Sequence, residues 1–302
     1  MTIMQEFNKT IARWRRQQRR NSGAKIIYWR HTYGLKLKMN KLIKHFLSVI
    51  ILFAPLTLLA HAGSAIHTIK SMQEMEKYID AYTIVLFDLD HTIFESKNYG
   101  YGHLNWFYDE VEKGTAKGQN EKAIIFNLFP HWLVSQQNMQ VKPVEEITPH
   151  LIKKLQHKGL MVIGVTARQV PLVDLTLNHL KEINIDFSSK KLPDVIIYGF
   201  QAPTEMKSGI IFCSEYNSKG KILKAYLDKQ NIFPKKIVFV DDSIRHLHAV
   251  TKVYSEVEVI GLHYPLVAEY KQKHWDKASA HNAYCDVAKN HPELNDYPLN
   301  CA

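Results

Sequence analysis

The stretch TIVLFDLDHTIFE, from Thr83 to Glu95, joins a run of pure hydrocarbon to two carboxylates that stand one residue apart. An apolar run without alternation, such as IVLF at 84–87, is typical of a parallel strand that is buried on both faces. Asp88 and Asp90 follow this run, and open parallel sheets bind ligands at the carboxyl ends of their strands. The stretch therefore predicts a core strand that delivers two acidic side chains to a ligand-binding edge.

Two more apolar runs of the same kind, MVIGV and IVFV, occupy residues 161–165 and 237–240. Weaker strand candidates lie at 194–199, 209–212 and 257–262. Helical patterns separate these runs, and alternating strands and helices predict an α/β fold with right-handed crossovers. We expect a Rossmann-like three-layer sandwich with a central parallel sheet.

The helical patterns carry start and stop signals. Thr148 before Pro149 predicts an N-cap followed by a proline at the first helical position, and Gly159 predicts the end of that helix. Further helix starts are predicted at Pro171, Ser218 and Ser243. One long final helix is predicted over about 266–288.

Residues 96–147 interrupt the alternation, because they are too many for an ordinary strand-to-helix loop. They look helical and are rich in aromatic residues: Tyr99, Tyr101, Trp106, Phe107, Tyr108, Phe126, Phe129 and Trp132. We expect a small helical cap inserted after the first strand, with a core made of 63–95 and 148–302. The alternative is a second packing layer without a functional role.

Composition and charge narrow the class of protein. The chain has 302 residues, of which 46% are hydrophobic and 23% charged, as in an ordinary globular protein. Its net charge of +10 suggests a nucleic-acid or membrane partner, but the excess is local. Residues 1–62 hold 12 Lys and Arg against one acidic residue, whereas 63–302 hold 27 against 28. We therefore expect no nucleic-acid partner for the folded part.

The N-terminus has the pattern of a targeting sequence. From Met39, a basic start leads into an apolar stretch of about 15 residues and ends in Ala60-His61-Ala62, a small-x-small cleavage pattern. We expect a signal peptide over 39–62, export to the periplasm or medium, and membrane contact only through this segment; an uncleaved anchor is the alternative. Residues 1–38 are a basic extension, either a mis-assigned start or a real cytoplasmic segment.

Export permits disulfides, and three cysteines follow the signal segment. Cys213 ends the apolar run GIIFC and is expected in the core. Cys285 and Cys301 flank a polar tail and are either bridged or unpaired. His246 and His248 are two apart on a predicted helix, so they face different ways and predict no metal site.

Polar clusters follow all three strong strands. Asp88 and Asp90 follow the first, Thr166 ends the second, and Asp241-Asp242 follow the third. Carboxylates that converge at one sheet edge need a cation, and oxygen ligands suit a hard ion such as Mg²⁺. A carboxylate beside such an ion can attack phosphorus, and a second can move the proton of the leaving oxygen.

A hydroxyl and an ammonium would then hold the phosphoryl oxygens. Thr166 supplies the hydroxyl, and either Lys219 or Lys221 supplies the ammonium from the start of the next helix. A small phosphorylated molecule is the substrate that such a site would take.

The order DxDxT, strand-end Thr, helix-start Lys and strand-end DD resembles the haloacid dehalogenase superfamily of phosphotransferases over about 84–265. The resemblance implies that Asp88 is the nucleophile and Asp90 the general acid/base, and that Thr166 and a lysine bind phosphate. It implies Mg²⁺ held by Asp88, the Asp90 carbonyl and Asp241, with Asp242 acting through water. A narrower likeness to an uncharacterised exported bacterial group with NSKG before the helix favours Lys219.

Asp90 separates the reactions of this superfamily. Its dehalogenases lack this second aspartate, since halide departs without a proton, and its ATPase pumps carry lysine there. The resemblance therefore implies an exported phosphoric monoester hydrolase of the acid phosphatase type. The alternative is a secreted binding or host-interaction protein that keeps the fold with little turnover. The sequence identifies neither the substrate nor the oligomeric state.

Overall fold

A computed structural model describes residues 63–97, 102–190, 192–295 and 299–301. The predicted basic extension 1–38 and signal peptide 39–62 lie outside the described residues. No helix in the described part of the chain has both the length and the apolar character needed to cross a membrane.

Ten strands are present in the described residues: β1 Ala65–Thr68, β2 Thr83–Phe87, β3 Phe94–Ser96, β4 Val141–Pro143, β5 Met161–Thr166, β6 Val195–Ile197, β7 Thr204–Lys207, β8 Ile210–Phe212, β9 Lys236–Asp241 and β10 Glu258–His263. Eight of them form one sheet in the order β1-β10-β9-β2-β5-β8-β7-β6. Neighbours are parallel from β1 to β8, while β7 and β6 add an antiparallel extension. The predicted central parallel sheet is confirmed, and every predicted strand is present.

The helices are α1 Leu104–Ala116, α2 Glu121–Asn138, α3 Thr148–His157, α4 Val173–Glu182, α5 Lys219–Lys229, α6 Ile244–Thr251, α7 Leu266–His274 and α8 Lys277–Ala288. Short 3-10 helices occupy Met72–Tyr78, Val170–Leu172 and Pro292–Leu294. Helices α3 and α4 contribute to the apolar cluster on one sheet face, and α5 and α6 to the cluster on the other. The three-layer arrangement is therefore confirmed.

Strand β2 is central because every residue in it is apolar or small enough to be buried. All five side chains are buried, and the strand lies between β9 and β5. Its alternation sends Val85 and Phe87 into one apolar cluster and Ile84 and Leu86 into the other. This explains why the run IVLF shows no polar position.

Three details of the helix prediction are wrong. Ile147, not Thr148, is the N-cap of α3, because the backbone is already helical there and Thr148 N donates to the carbonyl of Glu145. Pro171 lies in a 3-10 turn, and α4 begins two residues later. The long final helix is two helices, since the Asp276 side chain accepts from the amides that start α8.

The serine caps agree better with the prediction. The hydroxyl of Ser218 accepts from Lys221 N at 3.5 Å and caps α5. Ser243 occupies the N-cap of α6 but makes no cap bond with its side chain. Instead its amide donates to Asp241 Oδ1 at 2.8 Å, so that the start of α6 is bonded to the last residue of β9.

Helices α1 and α2 lie inside the predicted insertion 96–147, which begins and ends at the antiparallel pair β3 and β4. Tyr99, Tyr101 and the side chain of Phe126 are outside the described residues. Trp106 does not pack only within the insertion, because it joins Ala280 and Tyr284 of α8 in one apolar cluster. The C-terminal region therefore completes the core of the inserted helices.

Two of the three cysteines form a disulfide, and the third is free. Cys285 of α8 is bonded to Cys301, with their Cα atoms 5.7 Å apart. Cys213 is buried and free in the core, as predicted. The bridge returns the end of the chain to α8, the helix that packs on the insertion.

Candidate active site

The order β9-β2-β5 brings the ends of the three strong strands together. Register pairs Phe87 with Val240 on one side and with Gly164 on the other. The amide of Asp88 continues the ladder by donating to the carbonyl of Val240 at 2.9 Å. The site edge is therefore built from the strongest apolar runs of the sequence.

Three of the predicted carboxylates form a cluster at this edge. Asp88, Asp241 and Asp242 each offer an oxygen, and these atoms lie within 4.8 Å of one another. Asp88 is 5% exposed and Asp241 fully buried. Three converging carboxylate oxygens are a donor set that suits a hard divalent cation, so these residues fit the predicted Mg²⁺.

Lys219 is the cation that the structure itself places in this cluster. Its Nζ donates to Asp88 Oδ1 at 2.5 Å and to Asp241 Oδ2 at 2.8 Å. Lys219 is 2% exposed, whereas Lys221 is exposed on the same helix. Of the two lysines that the sequence left open, the fold brings Lys219 to the carboxylates.

Close packing of α5 on α6 seats that lysine. A Cβ built on Gly220 would lie 2.0 Å from the carbonyl oxygen of Ala249 and 2.9 Å from Val250 Cα. The glycine thus lets the two helix backbones approach, and Lys219 precedes it by one residue. The sequence shows this glycine in NSKG but gives no reason for it.

Burial dominates the electrostatics of the cluster. It raises the pKa of Asp88 well above the usual range, with Lys219 opposing and the charges of Asp241 and Asp242 adding to the rise. Burial would lower the pKa of Lys219, but the Asp241 and Asp88 charges outweigh it and raise that pKa. In Asp241, burial is outweighed by Lys219, and the pKa falls. Lys219 is therefore an ammonium held by carboxylates.

Asp90 lies apart from that cluster and faces Arg168. The guanidinium donates from Nε to Asp90 Oδ2 and from its second terminal nitrogen to Oδ1, both at 2.8 Å. Burial raises the pKa of Asp90, but the Arg168 charge outweighs burial and lowers it. The carboxylate of Asp90 is thus not one of the clustered oxygens, and its predicted metal role through the backbone carbonyl stays a prediction.

Thr166 and Thr92 fix the geometry of the edge. Thr166 is fully buried at the end of β5, and its hydroxyl oxygen accepts from Arg168 N at 3.0 Å. The Thr92 hydroxyl accepts from Asp242 N at 3.0 Å and lies 3.4 Å from Asp88 Oδ2. Thr92, the threonine of DxDxT, therefore links the loop after β2 to the loop after β9.

Sequence reasoning missed three contributors to the site. Arg168 was assigned no role, although an arginine two residues after the strand-end Thr166 was a usable signal. His246 Nδ1 lies 3.3 Å from Asp241 Oδ2, and His91 Nδ1 lies 3.6 Å from Asp242. His248 is exposed, in agreement with the prediction that the two histidines of α6 do not form a pair.

The insertion borders the site at two points. Gln136 of α2 accepts from Arg168 at 2.9 Å through its Oε1. The ring of His91 stacks on that of His103, the residue before α1, with centroids 4.8 Å apart. The inserted helices therefore contact the loop that carries the two predicted catalytic aspartates.

Fold and site together define an α/β protein with a buried carboxylate cluster at the carboxyl edge of a mostly parallel sheet. The chain belongs to the family described as "Protein of unknown function (DUF2608)", which matches residues 68–296. A Chlamydia trachomatis serovar D protein named "Putative outer membrane protein" is 31% identical over 188 residues, 61% of this chain and 70% of that protein. A Chlamydia muridarum protein of the same name is 27% identical over 66% of this chain and 76% of its own length.

Solved structures similar to the chain have low identity. A hydrolase from Pseudomonas syringae is 12% identical, with a TM-score of 0.38, over 64% of this chain and all but 1% of its own. A phospho-aspartyl intermediate analogue of phosphoserine phosphatase is 17% identical, with a TM-score of 0.35, over 62% of this chain and 89% of its own.

Proposed function

We propose that the protein is an exported, Mg²⁺-dependent phosphatase that hydrolyses small phosphomonoesters through an aspartyl-phosphate on Asp88. The observation that carries the proposal is the Asp88, Asp241 and Asp242 cluster with Lys219 bonded into it. A cluster built only for stability would not need three carboxylates and a lysine, because buried charges rarely stabilise more than apolar residues of similar size. Their convergence at the ligand-binding edge supports a catalytic role.

Each residue has a distinct part in the proposed reaction. An Asp88 oxygen forms a bond to phosphorus while the bond to the leaving oxygen breaks. Asp90 gives that oxygen a proton from its protonated form, which the Arg168 charge makes the less populated form at neutral pH. Asp90 then takes a proton from water, whose oxygen attacks phosphorus and releases Asp88 and inorganic phosphate. Thr166 and Lys219 hold the phosphoryl oxygens.

A bound Mg²⁺ supplies positive charge that stabilises the phosphoryl oxygens and the ionised carboxylates. Asp88 must be ionised to attack, yet burial raises its pKa. Lys219, whose Nζ is 2.5 Å away, favours the ionised form. The residues that hold the cation would be Asp88 and Asp241, with the Asp90 carbonyl and Asp242 as predicted.

Export is supported by two features. The 39–62 pattern has a basic start, an apolar stretch and a small-x-small end. The Cys285–Cys301 bridge is a type of bond that persists in oxidising compartments. A periplasmic or secreted location is therefore part of the proposal.

The test is a phosphatase screen of the mature protein on a phosphomonoester panel, with Mg²⁺ present and after removal by a chelator. We expect turnover only with the cation. Asp88→Asn should abolish hydrolysis of p-nitrophenyl phosphate, whereas Asp228→Asn, in an exposed pair with Lys224, should keep wild-type turnover. Full activity of the Asp88→Asn variant would exclude the aspartyl-phosphate.

A second measurement addresses the intermediate. Asp90→Asn should still accept a phosphoryl group from an aryl phosphate, because that leaving group needs no proton, but should release it slowly. Acid quenching should then recover phosphate bound to the protein in Asp90→Asn and none in Asp88→Asn. A folded wild type without turnover on any phosphomonoester would favour the secreted binding protein instead.

A further inference from the structure

The side chain of Arg168 has no free donor. A guanidinium has five N–H groups. Two of them donate to the oxygens of Asp90, at 2.8 Å each. The terminal nitrogen that serves Asp90 also donates to Gln136 Oε1 at 2.9 Å. The other terminal nitrogen lies 3.3 Å from the Thr176 hydroxyl and 3.4 Å from His179 Nδ1.

The acceptor at His179 fixes a tautomer. Because a guanidinium only donates, His179 Nδ1 must accept, and the ring is therefore neutral with its proton on Nε2. Burial first, and then the Arg168 charge, lower the pKa of His179 to about 4, which agrees with a neutral ring. Arg168 also lies over the ring of Phe94, with 4.9 Å from its central carbon to the ring centroid. The N–H groups of the guanidinium are therefore all directed at acceptors of this chain, and Phe94 contacts the group as well.

Arg168 and Asp90 form a bidentate pair that fixes the orientation of the carboxylate. Two parallel N–H donors on a planar group fix both the position and the plane of a carboxylate, which a single ammonium cannot do. The side chain of Arg168 is 1% exposed, while that of Asp90 keeps 23% exposure. Asp90 is therefore held by Arg168 while part of its side chain stays accessible.

We propose that Arg168 is a positioning residue that orients Asp90 for proton transfer and does not bind the phosphoryl group itself. This inference rests on the proposed function and deepens it. With five donors committed within the chain, Arg168 has none to offer a phosphoryl oxygen. Gln136 of the inserted helix α2 also supports Arg168. The amide nitrogen of Gln136 is itself held, because it donates to the carbonyl of Gly102 at 3.0 Å.

The test uses two substrates that differ in their need for a proton. Glycerol phosphate is an alkyl phosphate, and its leaving group is a strongly basic alkoxide oxygen that needs a proton. The leaving group of p-nitrophenyl phosphate is a stable phenolate that does not. Arg168→Lys keeps the charge but cannot make two parallel bonds. We expect kcat/KM for glycerol phosphate to fall about 100-fold, the loss that a misplacement of about 1 Å produces. For p-nitrophenyl phosphate we expect a fall of less than about fivefold on the same reasoning.

Binding of the phosphoryl group is measured separately by inhibition with inorganic phosphate. Its inhibition constant should change less than about threefold in Arg168→Lys, because the residue does not touch phosphate. A double-mutant cycle on kcat for the aryl substrate adds a sharper test, because breakdown of the aspartyl-phosphate needs Asp90 whichever group has left. If Arg168 acts through Asp90, then Asp90→Asn with Arg168→Lys should match Asp90→Asn alone.

Two further variants keep the test independent of folding. Lys207→Arg exchanges the same two residue types in the opposite direction, in an exposed pair with Asp194, and both substrates should keep their wild-type values. Gln136→Ala removes one support of the guanidinium without touching Asp90, and should give a smaller loss with the same preference for the aryl substrate. Circular dichroism verifies that each variant is folded.

The outcomes separate cleanly. Equal losses on both substrates, or a tenfold rise in the phosphate inhibition constant, would overturn the inference and make Arg168 a structural or phosphate-binding residue. Additive losses in the double-mutant cycle would overturn it as well. A wild type without turnover would overturn the proposed function and this inference together, whereas an active wild type with equal losses overturns this inference alone.

Discussion

The indole ring of Trp106 lies flat on the phenol ring of Tyr284, with centroids 3.5 Å apart and planes 5° from parallel. The tyrosine hydroxyl donates to Ser135 Oγ at 3.0 Å. Trp106 belongs to α1, Ser135 to α2 and Tyr284 to α8. One side chain from the C-terminal region thus holds both inserted helices.

Replacing Tyr284 should destabilise the inserted helices. Tyr284→Leu removes the stack, worth about 1 kcal/mol beyond burial, and leaves a buried hydroxyl of Ser135 without this donor, for a total of about 2–4 kcal/mol. Tyr284→Phe should lose only the part due to the hydrogen bond. Urea unfolding measures the difference, and Tyr82→Leu, at a 68% exposed ring, is the control. No loss in Tyr284→Leu would mean that α8 does not hold the insertion.

Removal of the disulfide should weaken the same region. The bridge closes a loop with a sequence separation of 16, for which the chain-entropy model gives about 3 kcal/mol. Cys301→Ser should lower the free energy of unfolding by about this amount, and a reducing agent should have the same effect on the wild type. The reducing agent should not change Cys301→Ser further. A difference between the two treatments would show that the bridge is not the cause.

Gly220→Ala should destabilise the fold although alanine is the better helix former by about 1 kcal/mol. Its Cβ would meet backbone atoms of α6, which cannot give way as a side chain can. We expect α5 to shift, the unfolding free energy to fall by about 1–3 kcal/mol and Lys219 to leave its place, with loss of the proposed phosphatase activity. Gly114→Ala is the matched control, because its Cβ would meet the end of the Ile124 side chain. Equal stability of the two variants would contradict the argument.

His179 predicts a specific loss of stability in acid. Its pKa is lowered to about 4 in the folded protein, mainly by burial, while the unfolded chain takes up a proton near the ordinary value of 6.5. The unfolded state therefore binds more protons between these values, and stability falls as the pH drops from about 6.5 to about 4, by up to about 3 kcal/mol. His179→Gln should show a flatter profile over this range, whereas His157→Gln, in the exposed last turn of α3, should follow the wild type. Equal slopes for His179→Gln and wild type would exclude this cause.

Local sequence was sufficient for the strands that carry the candidate site and for the polar clusters at their ends. Three runs are apolar throughout and so predict buried strands: 84–87, 161–165 and 237–240. Each polar cluster directly follows its strand. The Ser218 cap could be predicted for the same reason, whereas the residues alone left Lys219 and Lys221 open. These features depend on residues that are close in the chain.

The features that sequence did not predict depend on distant contacts or on short, polar segments. Asp90 and Arg168 are 78 positions apart, and Tyr284 and Ser135 are 149 apart. Strand β7, TEMK, alternates buried and half-buried side chains and carries two charges, so it has no apolar run to mark it. The break before α8 depends on one aspartate cap within a continuous helical pattern. Local hydrophobic periodicity does not predict such contacts, strands or helix breaks.

Lys219→Met should make stability depend on the divalent cation. Without the ammonium, the carboxylates of Asp88 and Asp241 remain buried without the partner that both now share, and loss of a buried partner costs about 3–5 kcal/mol. We expect a lower melting temperature in a chelator and a larger rise on adding Mg²⁺ than in the wild type, because a bound cation would replace the missing charge. Lys221→Met, on the exposed side of α5, should behave as the wild type. If Mg²⁺ stabilises Lys219→Met no more than wild type, the carboxylate cluster is not the cation site.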